Sequence, residues 1–190
     1  MEAVPDPLAA SLALVLRRAR SQRGWSVQDL ADRAGVSRSM ISKVEREEAQ
    51  PTAVLLGRLS GALGMTLTEL LGRAEQDGRR LVRRADQPIW VDPGSGYRRR
   101  AVSPAVGGAT QLVEVELPPG ARVPYPRDSY RFVEHQIWVL EGTLHFEEGD
   151  LEHVVHEGDC LELGSPADCV YANRGGRPCR YLVVVTRRPA

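Results

Sequence analysis

The sequence predicts an α+β protein of two domains, a bundle of five helices at residues 1–72 and an antiparallel β barrel at residues 88–190. Two observations carry this prediction. Apolar residues recur at helical spacing in the first part, and short alternating apolar runs broken by glycine and proline turns fill the second. The polar, charged stretch between them, residues 73–87, is expected to be a linker.

The densest pattern lies at residues 26–45, where small and branched residues have the spacing of two helices that cross through a tight turn. Counted from Val27, Ala31 falls at position 5, Gly35 at position 9 and Ile41 at position 15. A small side chain lets the helices approach, glycine takes the left-handed turn, and a branched residue fills the gap between them. The pattern predicts a helix-turn-helix.

Helix-start signals support the bundle. Ser26, Ser37 and Thr66 stand at N-cap positions, and Thr66 would begin the fifth helix. Asp29 and Glu69 follow two of these caps at the spacing of a capping box. The first and fourth helices are predicted from apolar residues at helical spacing, namely Leu8, Leu12, Val15 and Leu16, then Val54, Leu55, Leu59 and Leu63.

The second helix of the motif presents polar residues on the face opposite its apolar residues Ile41 and Val44. Four of them are candidates to reach base edges in the major groove of DNA: Arg38, Ser39, Ser42 and Lys43. Four more, at helix N-termini or in the following loop, are candidates for phosphate contacts: Ser26, Gln28, Ser37 and Arg46. The alternative is that all eight are solvated surface residues, but the complete motif favours DNA binding.

Composition restricts the partners and the compartment. The formal net charge is zero, and residues 1–75 hold 10 Lys and Arg against 9 Asp and Glu, so DNA affinity requires local placement of charge. No run approaches the roughly 18–20 apolar residues of a membrane span, and no signal-peptide pattern opens the chain. Three cysteines, an odd number without metal-binding spacing, favour a reducing cytoplasm.

A further group of cations lies in and after the linker: Arg79, Arg80, Arg83, Arg84, Arg98, Arg99 and Arg100. Two interpretations stay open for it. The group is either an arm that seeks phosphates or a set of solvated residues that pair with nearby acids.

Beyond residue 88, alternation predicts an antiparallel sandwich or barrel of roughly eight strands, and three short motifs resemble the cupin family. They are LPPG at 117–120, VLEG at 139–142 and EGDCLEL at 157–163, with Asn173 matching the end of the second cupin motif. This resemblance covers roughly residues 88–186 and implies a jelly-roll barrel. Because residues 8–72 resemble λ-repressor-like domains, the whole chain resembles XRE-family regulators with a C-terminal cupin domain.

The cupin resemblance implies metal-ligand positions, and here the sequence departs from the family. The two first-motif histidine positions fall on Pro126 and Asp128, and the glutamate position falls on His135. The second-motif histidine position falls on Cys169. Asp128, His135 and Cys169 are acceptable zinc ligands, but they do not form the two-histidine, one-carboxylate triad of iron–oxygen chemistry. A barrel without metal is the preferred interpretation, and zinc is the alternative.

A barrel without metal suits the binding of one small molecule. The residues expected to line such an effector pocket are Tyr125, Asp128, His135, Ile137, Val139, Cys169 and Tyr171. Strand alternation then places Trp138 and Leu140 on the opposite face, where cupins pack against a second sheet or a second subunit.

The sequence is therefore interpreted as a cytoplasmic, homodimeric transcriptional regulator without catalytic residues. Its paired recognition helices would bind a near-palindromic operator, and a small effector in the barrel would modulate that binding. Two alternatives remain. One is an iron-dependent epoxidase with the same pair of domains, and the other is a structural module whose helices contact a partner protein.

Overall fold

The computed structural model describes residues 7–65, 67, 70, 80–104 and 109–187. Its N-terminal helices are α1 at Pro7–Gln22, α2 at Val27–Ala34, α3 at Arg38–Glu45 and α4 at Ala53–Ala62. The described part of the chain thus contains four α-helices instead of the predicted five. The fifth, predicted to begin at Thr66, falls largely outside the described residues; Leu67 and Leu70 are described, helical and buried.

The caps of α2 and α3 and the turn between these helices have the geometry that the sequence predicts. Ser26 and Asp29 form the capping box: Ser26 Oγ accepts from the Asp29 amide at 3.1 Å, and the Asp29 carboxylate accepts from the Ser26 amide at 2.7 Å. Gly35 ends α2 in the left-handed conformation, with φ of 63°. Ser37 Oγ accepts the Met40 amide at 3.2 Å and starts α3. The predicted helix-turn-helix is confirmed.

The described residues of the second part contain ten β-strands, and every pairing between these strands is antiparallel. They are β1 at Ile89–Val91, β2 at Arg98–Ala101, β3 at Thr110–Leu117, β4 at Arg122–Tyr125, β5 at Val133–Glu141, β6 at Thr143–Glu148, β7 at Leu151–His156, β8 at Cys160–Glu162, β9 at Cys169–Ala172 and β10 at Cys179–Arg187. Short 3-10 turns lie at Arg84–Asp86 and Arg127–Tyr130.

The strands form the antiparallel sheets that the sequence predicts, but the predicted barrel is not closed. One sheet has the order β1-β2-β3-β10-β5-β8 and the other the order β4-β9-β6-β7. Closure would require ladder hydrogen bonds between the edge strands of the two sheets. In the described residues β1, β8, β4 and β7 each pair on one side only, so the domain is a two-sheet sandwich.

The core of the β domain lies between the two sheets. Its side chains come from the inward faces of both sheets: Val113, Leu117, Ile137, Val139, Leu144, Phe146, Tyr171 and Tyr181. The inward orientation predicted for Ile137, Val139 and Tyr171 is thereby confirmed. Trp138 is 47 % exposed on the opposite face of β5.

Helix α4 packs directly on the β domain, because two glycines one helical turn apart leave room for it. A Cβ atom on Gly57 would lie 2.9 Å from Cδ1 of Tyr125, and one on Gly61 would lie 3.3 Å from the backbone of Asp128. Ser129 Oγ also donates a hydrogen bond to the Gly57 carbonyl at 3.3 Å. The 3-10 turn at 127–130 and the end of β4 therefore sit against α4.

A buried carboxylate makes a second connection between the domains. Asp92, in the turn after β1, is 4 % exposed, and its Oδ1 accepts the Ala53 amide at 2.7 Å. Its Oδ2 accepts the amide and the hydroxyl of Ser95, each at 2.6 Å. Ala53 is the first residue of α4, so this carboxylate meets the positive end of the helix dipole.

Candidate nucleic-acid interface and ligand cavity

The outer edge of α3 is accessible along its length. Three of the four residues expected to reach bases, Arg38, Ser39 and Lys43, are exposed, and Ser42 is half-buried. Met40, which the sequence reasoning did not single out, is 39 % exposed beside them. This edge therefore combines two cations, hydroxyls and one apolar side chain that can contact a thymine methyl group.

The four residues expected to contact phosphates are exposed, and all of them have hydrogen-bonding partners in the chain. Ser26 and Ser37 act as helix caps, and Gln28 Nε2 donates to the Asp32 carboxylate at 2.7 Å. Arg46 pairs with Glu48, with Nε at 2.8 Å from Oε1. Exposed pairs of this kind contribute little stability, so they are readily exchanged for phosphate contacts.

A groove beside α3 contains a cation that the sequence reasoning missed. Ser42 and Arg46 line the groove together with Arg17, an exposed residue of α1. Helical spacing alone could have placed Arg17 on the outer face of α1, next to the buried Leu16. The groove is a further place where a phosphate can be held.

A bidentate ion pair fixes α3 to α1. Arg20 Nε lies 2.7 Å from Oε1 of Glu45, and Arg20 Nη2 lies 2.7 Å from Oε2. A third donor of the same guanidinium, Nη1, reaches the Trp25 carbonyl at 2.7 Å. The hydrogen bond to Glu45 raises the pKa of Arg20 above its usual value. This network holds the end of α3 and the start of α2 in one arrangement.

A cavity of about 60 Å³ lies between the two sheets of the β domain. It is lined by Leu67, Tyr97, Arg99, Val113, Val115, Val123, Tyr125, Ser129, Tyr130, His135, Tyr171, Tyr181, Val183 and Val185. Of the seven residues expected in an effector pocket, Tyr125, His135 and Tyr171 line it.

The other four expected pocket residues lie elsewhere. Ile137 and Val139 point inward but are fully buried in the packed core, so they offer no surface to a ligand. Cys169 lines a smaller neighbouring cavity, and its Sγ donates to the Ala167 carbonyl at 3.4 Å. The Asp128 side chain is 58 % exposed and faces Arg131 at 3.6 Å. The alternation of residues along a strand predicts which side chains point between the sheets. It does not predict which of them face a cavity and which are packed in the core.

Most of the other cavity residues were not predicted from the sequence, among them Tyr97, Arg99 and Tyr181. Arg99 was considered part of a basic arm, yet it lies on β2, paired with Trp90 of β1 and Val115 of β3. Trp90 and Val115 are buried, and side chains paired across strands share a face of the sheet. Pairing with these apolar residues was the signal that could have placed Arg99 on the inward face.

Burial raises the pKa of the tyrosines that line the cavity, so their hydroxyls are neutral: Tyr97, Tyr125, Tyr130, Tyr171 and Tyr181. Burial, and secondarily the charge of Arg99, lowers the pKa of His135 to about 4. His135 Nδ1 is buried without a hydrogen-bond partner among the described residues. His135 is therefore a neutral imidazole at physiological pH.

The residues at the cupin metal positions do not fit a metal centre. Among the described residues, no three histidine, cysteine or acidic side chains are grouped so that they could hold an ion. Asp128 faces outward, and burial raises the pKa of Cys169 to about 12, which disfavours the thiolate needed for coordination. His135 and Cys169 line one small cavity, but Asp128 lies outside it, so the three do not form a set of ligands.

Replacing His135 with glutamine is expected to weaken the loss of stability on acidification. The pKa of His135 is about 4 in the folded protein and about 6.5 in the unfolded chain. Between these pH values His135 is protonated in the unfolded chain and neutral in the folded protein. Stability is then lost as pH falls, by about 2 kcal/mol at pH 5. Urea unfolding at pH 7 and pH 5 measures this loss, which His156→Gln, at an exposed histidine, should leave unchanged. Equal losses in His135→Gln and the unmodified protein would contradict the assignment.

Comparisons with known proteins match two separate parts of the chain to two families. Residues 16–70 match the Helix-turn-helix family, and residues 113–185 match the Cupin domain family. In the part of the chain that the structure describes, no helix is long and apolar enough to cross a membrane.

Curated relatives resemble the N-terminal domain. The HTH-type transcriptional regulator SutR of Escherichia coli K12 is 36 % identical over 66 residues, which are 35 % of this chain and 37 % of SutR. A Neisseria hypothetical transcription factor from Neisseria meningitidis serogroup B is 34 % identical over 70 residues, 36 % of this chain and 66 % of that protein. The chain thus spans little more than a third of SutR.

A solved structure resembles the whole chain. The crystal structure of an HTH_3 family transcriptional regulator from Vibrio cholerae superposes with a TM-score of 0.78 at 19 % identity. The match covers 97 % of this chain and 100 % of that one. This shows that both domains and their order form one known fold.

Proposed function

We propose that this chain, which combines an XRE-type helix-turn-helix domain with a cupin domain, is a sequence-specific DNA-binding transcriptional regulator. One observation carries the proposal. The edge of α3 that holds Arg38 and Lys43 is exposed, while its other face is fixed by the Arg20–Glu45 pair and by buried Ile41. A helix held this way can enter a major groove without losing its own support.

Two copies of the chain are proposed to act together. The outer face of the six-stranded sheet carries Trp138, 47 % exposed, with Leu182 directly across the ladder on β10. A tryptophan with apolar neighbours on a sheet face is well suited to the centre of an interface between identical subunits. Such a pair would present two α3 helices to half-sites about 34 Å apart on a near-palindromic operator.

The cavity is proposed to sense a small effector that modulates DNA binding. Tyr125 and Ser129 line the cavity and also contact α4 at Gly57. A ligand that displaces these side chains therefore acts directly on the helical domain. A coupling of about 1–3 kcal/mol between the two sites is sufficient to change operator occupancy severalfold to hundredfold.

Catalysis is not part of the proposal. The residues at the cupin ligand positions are Asp128, His135 and Cys169. They are not the triad used for iron–oxygen chemistry, and among the described residues they do not group into a set that could hold an ion. A binding role for the cupin domain fits its apolar, tyrosine-lined cavity better.

Arg38→Ala and Lys43→Ala proteins test the recognition surface. A duplex selected by the unmodified protein from a random pool serves as the probe, and its affinity is measured over a range of salt concentrations. Loss of a base contact is expected to weaken binding about 10- to 100-fold and to relax the sequence preference, whereas loss of a phosphate contact lowers the affinity for all sequences.

The matched control is Arg174→Ala, which removes an exposed cation from the cupin domain. It is expected to retain the affinity of the unmodified protein. If Arg38→Ala and Lys43→Ala both bind with unchanged affinity and unchanged preference, α3 is not the recognition helix. If the random pool yields no enriched sequence, the regulator proposal itself fails.

A further inference from the structure

One apolar side chain of α3 lies outside the core of the helical domain. Of the three apolar residues of α3, a helix that the structure describes in full, Met40 alone is exposed, at 39 %. Ile41 and Val44, at 1 % and 2 %, form the face of α3 that packs into the domain. The side chain of Met40 therefore contributes little to the core and is available to a partner.

The backbone at Met40 is held in place by the start of the helix. Ser37 Oγ accepts the Met40 amide at 3.2 Å, and the Ser37 carbonyl accepts the Ile41 amide at the same distance. Met40 thus lies in the first turn of α3, and the N-terminal residues of a recognition helix are the ones that contact base edges. The backbone sets the direction of Met40, and only its side chain has to adjust to a bound duplex.

Met40 lies at one margin of the exposed edge of α3, next to Lys43. Residues three apart on a helix are neighbours, with roughly 5–6 Å between their Cβ atoms. Successive residues turn by about 100°, which places Met40 about 60° from Lys43 around the helix axis and Arg38 at the opposite margin. A duplex that is bound by both cations would therefore also cover Met40 and remove it from water.

The major groove offers one apolar group to such a side chain, the methyl group on C5 of a pyrimidine. The other groups on the base edges are hydrogen-bond donors and acceptors. A thioether is only a weak acceptor, so a methionine packed against them would leave them without water and without a good partner. Methionine is unbranched and has three rotatable bonds, so it can adapt to a small methyl group.

We infer that Met40 is a specificity-determining residue, which packs on the C5 methyl group of a pyrimidine in each half-site of the operator. The inference rests on the proposed function and names a chemical feature of the DNA that the regulator selects. Arginine and lysine donate to the O6 and N7 acceptors of guanine. The methylated pyrimidine is therefore expected to adjoin the base pairs that Arg38 and Lys43 contact. Thymine and 5-methylcytosine both carry this methyl group.

The experiment uses the duplex that the full-length protein selects from a random pool. Each thymine of its half-sites is replaced in turn by uracil, which lacks the methyl group and keeps every hydrogen-bonding group. At one position in each half-site, this replacement is expected to raise the Kd about three- to fivefold, because the burial of one methyl group is lost. The same replacement is expected to leave the Kd of Met40→Ala unchanged.

Two further variants serve as controls. Met40→Leu keeps an apolar side chain and is expected to retain most of the difference between thymine and uracil. Val154→Ala removes an apolar side chain that is 48 % exposed on β7 of the cupin domain, and it should keep both the affinity and the full difference. Alanine is a stronger helix former than methionine and the position is exposed, so Met40→Ala is expected to fold, which circular dichroism checks.

A second pair of duplexes separates the two sources of the methyl group. The thymine that responds to uracil is replaced by cytosine or by 5-methylcytosine, each paired with guanine. A gain in affinity on methylation that is lost in Met40→Ala assigns the contact to the methyl group in either base. An equal affinity for both duplexes restricts the contact to thymine.

The outcomes separate this inference from the regulator proposal. If no thymine of the selected duplex responds to uracil, or if the response survives in Met40→Ala, Met40 does not contact a pyrimidine methyl group. The regulator proposal would then still stand, because a duplex was selected. A random pool without an enriched sequence would refute the regulator proposal and this inference together.

Discussion

Replacing Glu45 with alanine is expected to destabilise the helix-turn-helix domain by about 3 kcal/mol or more and to abolish DNA binding. The substitution removes the partner of two Arg20 donors, each now at 2.7 Å from a carboxylate oxygen. The Arg20 side chain is only 12 % exposed, so its charge would stay largely buried with the Trp25 carbonyl as its remaining acceptor. Since the pair joins α1 to α3, the exposed edge of α3 that holds Arg38 and Lys43 would lose its fixed orientation.

Urea unfolding followed by far-ultraviolet circular dichroism measures the loss. Glu48→Ala is the matched control, because Glu48 also pairs with an arginine, Arg46, but both side chains are more than half exposed. That variant is expected to change the free energy of unfolding by less than about 1 kcal/mol. The double variant Arg20→Ala/Glu45→Ala should be no less stable than Glu45→Ala, because no buried charge is left unpaired. Equal effects of Glu45→Ala and Glu48→Ala would contradict this account.

The helix-turn-helix could be predicted from the sequence because its determinants are local. The capping box of Ser26 and Asp29 and the left-handed Gly35 lie within ten residues of one another, and each acts on the backbone next to it. The pair of Arg20 and Glu45 spans 25 residues and leaves no local pattern. Sequence reasoning therefore found the surface of α3 but not the contact that orients it.

The cavity was predicted less completely, because it depends on pairing between distant strands. Alternation correctly turned Tyr171 inward, but whether an inward residue meets space or packed core is decided by both sheets together. Arg99 is the middle residue of a run of three arginines, 98–100, and this composition is typical of a solvated surface segment. Its orientation is set by Trp90, nine residues away, and by Val115 on the next strand. Closure of a barrel is likewise a property of the edges and not of any one strand.

The contact between the domains could not be predicted from the sequence, and it is the route by which the proposed effector would act on DNA binding. The N-terminus of α4 receives its cap from two sources: Thr52, next to it in the chain, and Asp92, 39 residues later. The first belongs to the helical domain and the second to the β domain. The position of α4 is therefore tied to the turn that precedes Arg99 on β2.

Asp92→Ala is expected to lower the free energy of unfolding by about 3 kcal/mol or more, because three hydrogen bonds to a buried carboxylate are lost. The Ala53 amide and the Ser95 amide would both lose their acceptor. The two domains are then expected to unfold in separate transitions, since α4 is no longer held by the turn after β1. Calorimetric unfolding resolves the transitions, and hydrogen exchange at the Ala53 amide reports the lost cap directly.

Asp159→Ala is the control. It distinguishes the loss of the connection between the domains from the loss of any aspartate that accepts a backbone hydrogen bond. Asp159 also accepts a backbone amide, that of His156 at 2.9 Å, but within its own exposed turn. Its removal should leave the exchange of the Ala53 amide and the number of transitions unchanged. If Asp92→Ala keeps a single transition and a slowly exchanging Ala53 amide, the carboxylate does not connect the domains. The contacts of Tyr125 and Ser129 with Gly57 would then be the route that remains from the cavity to α4.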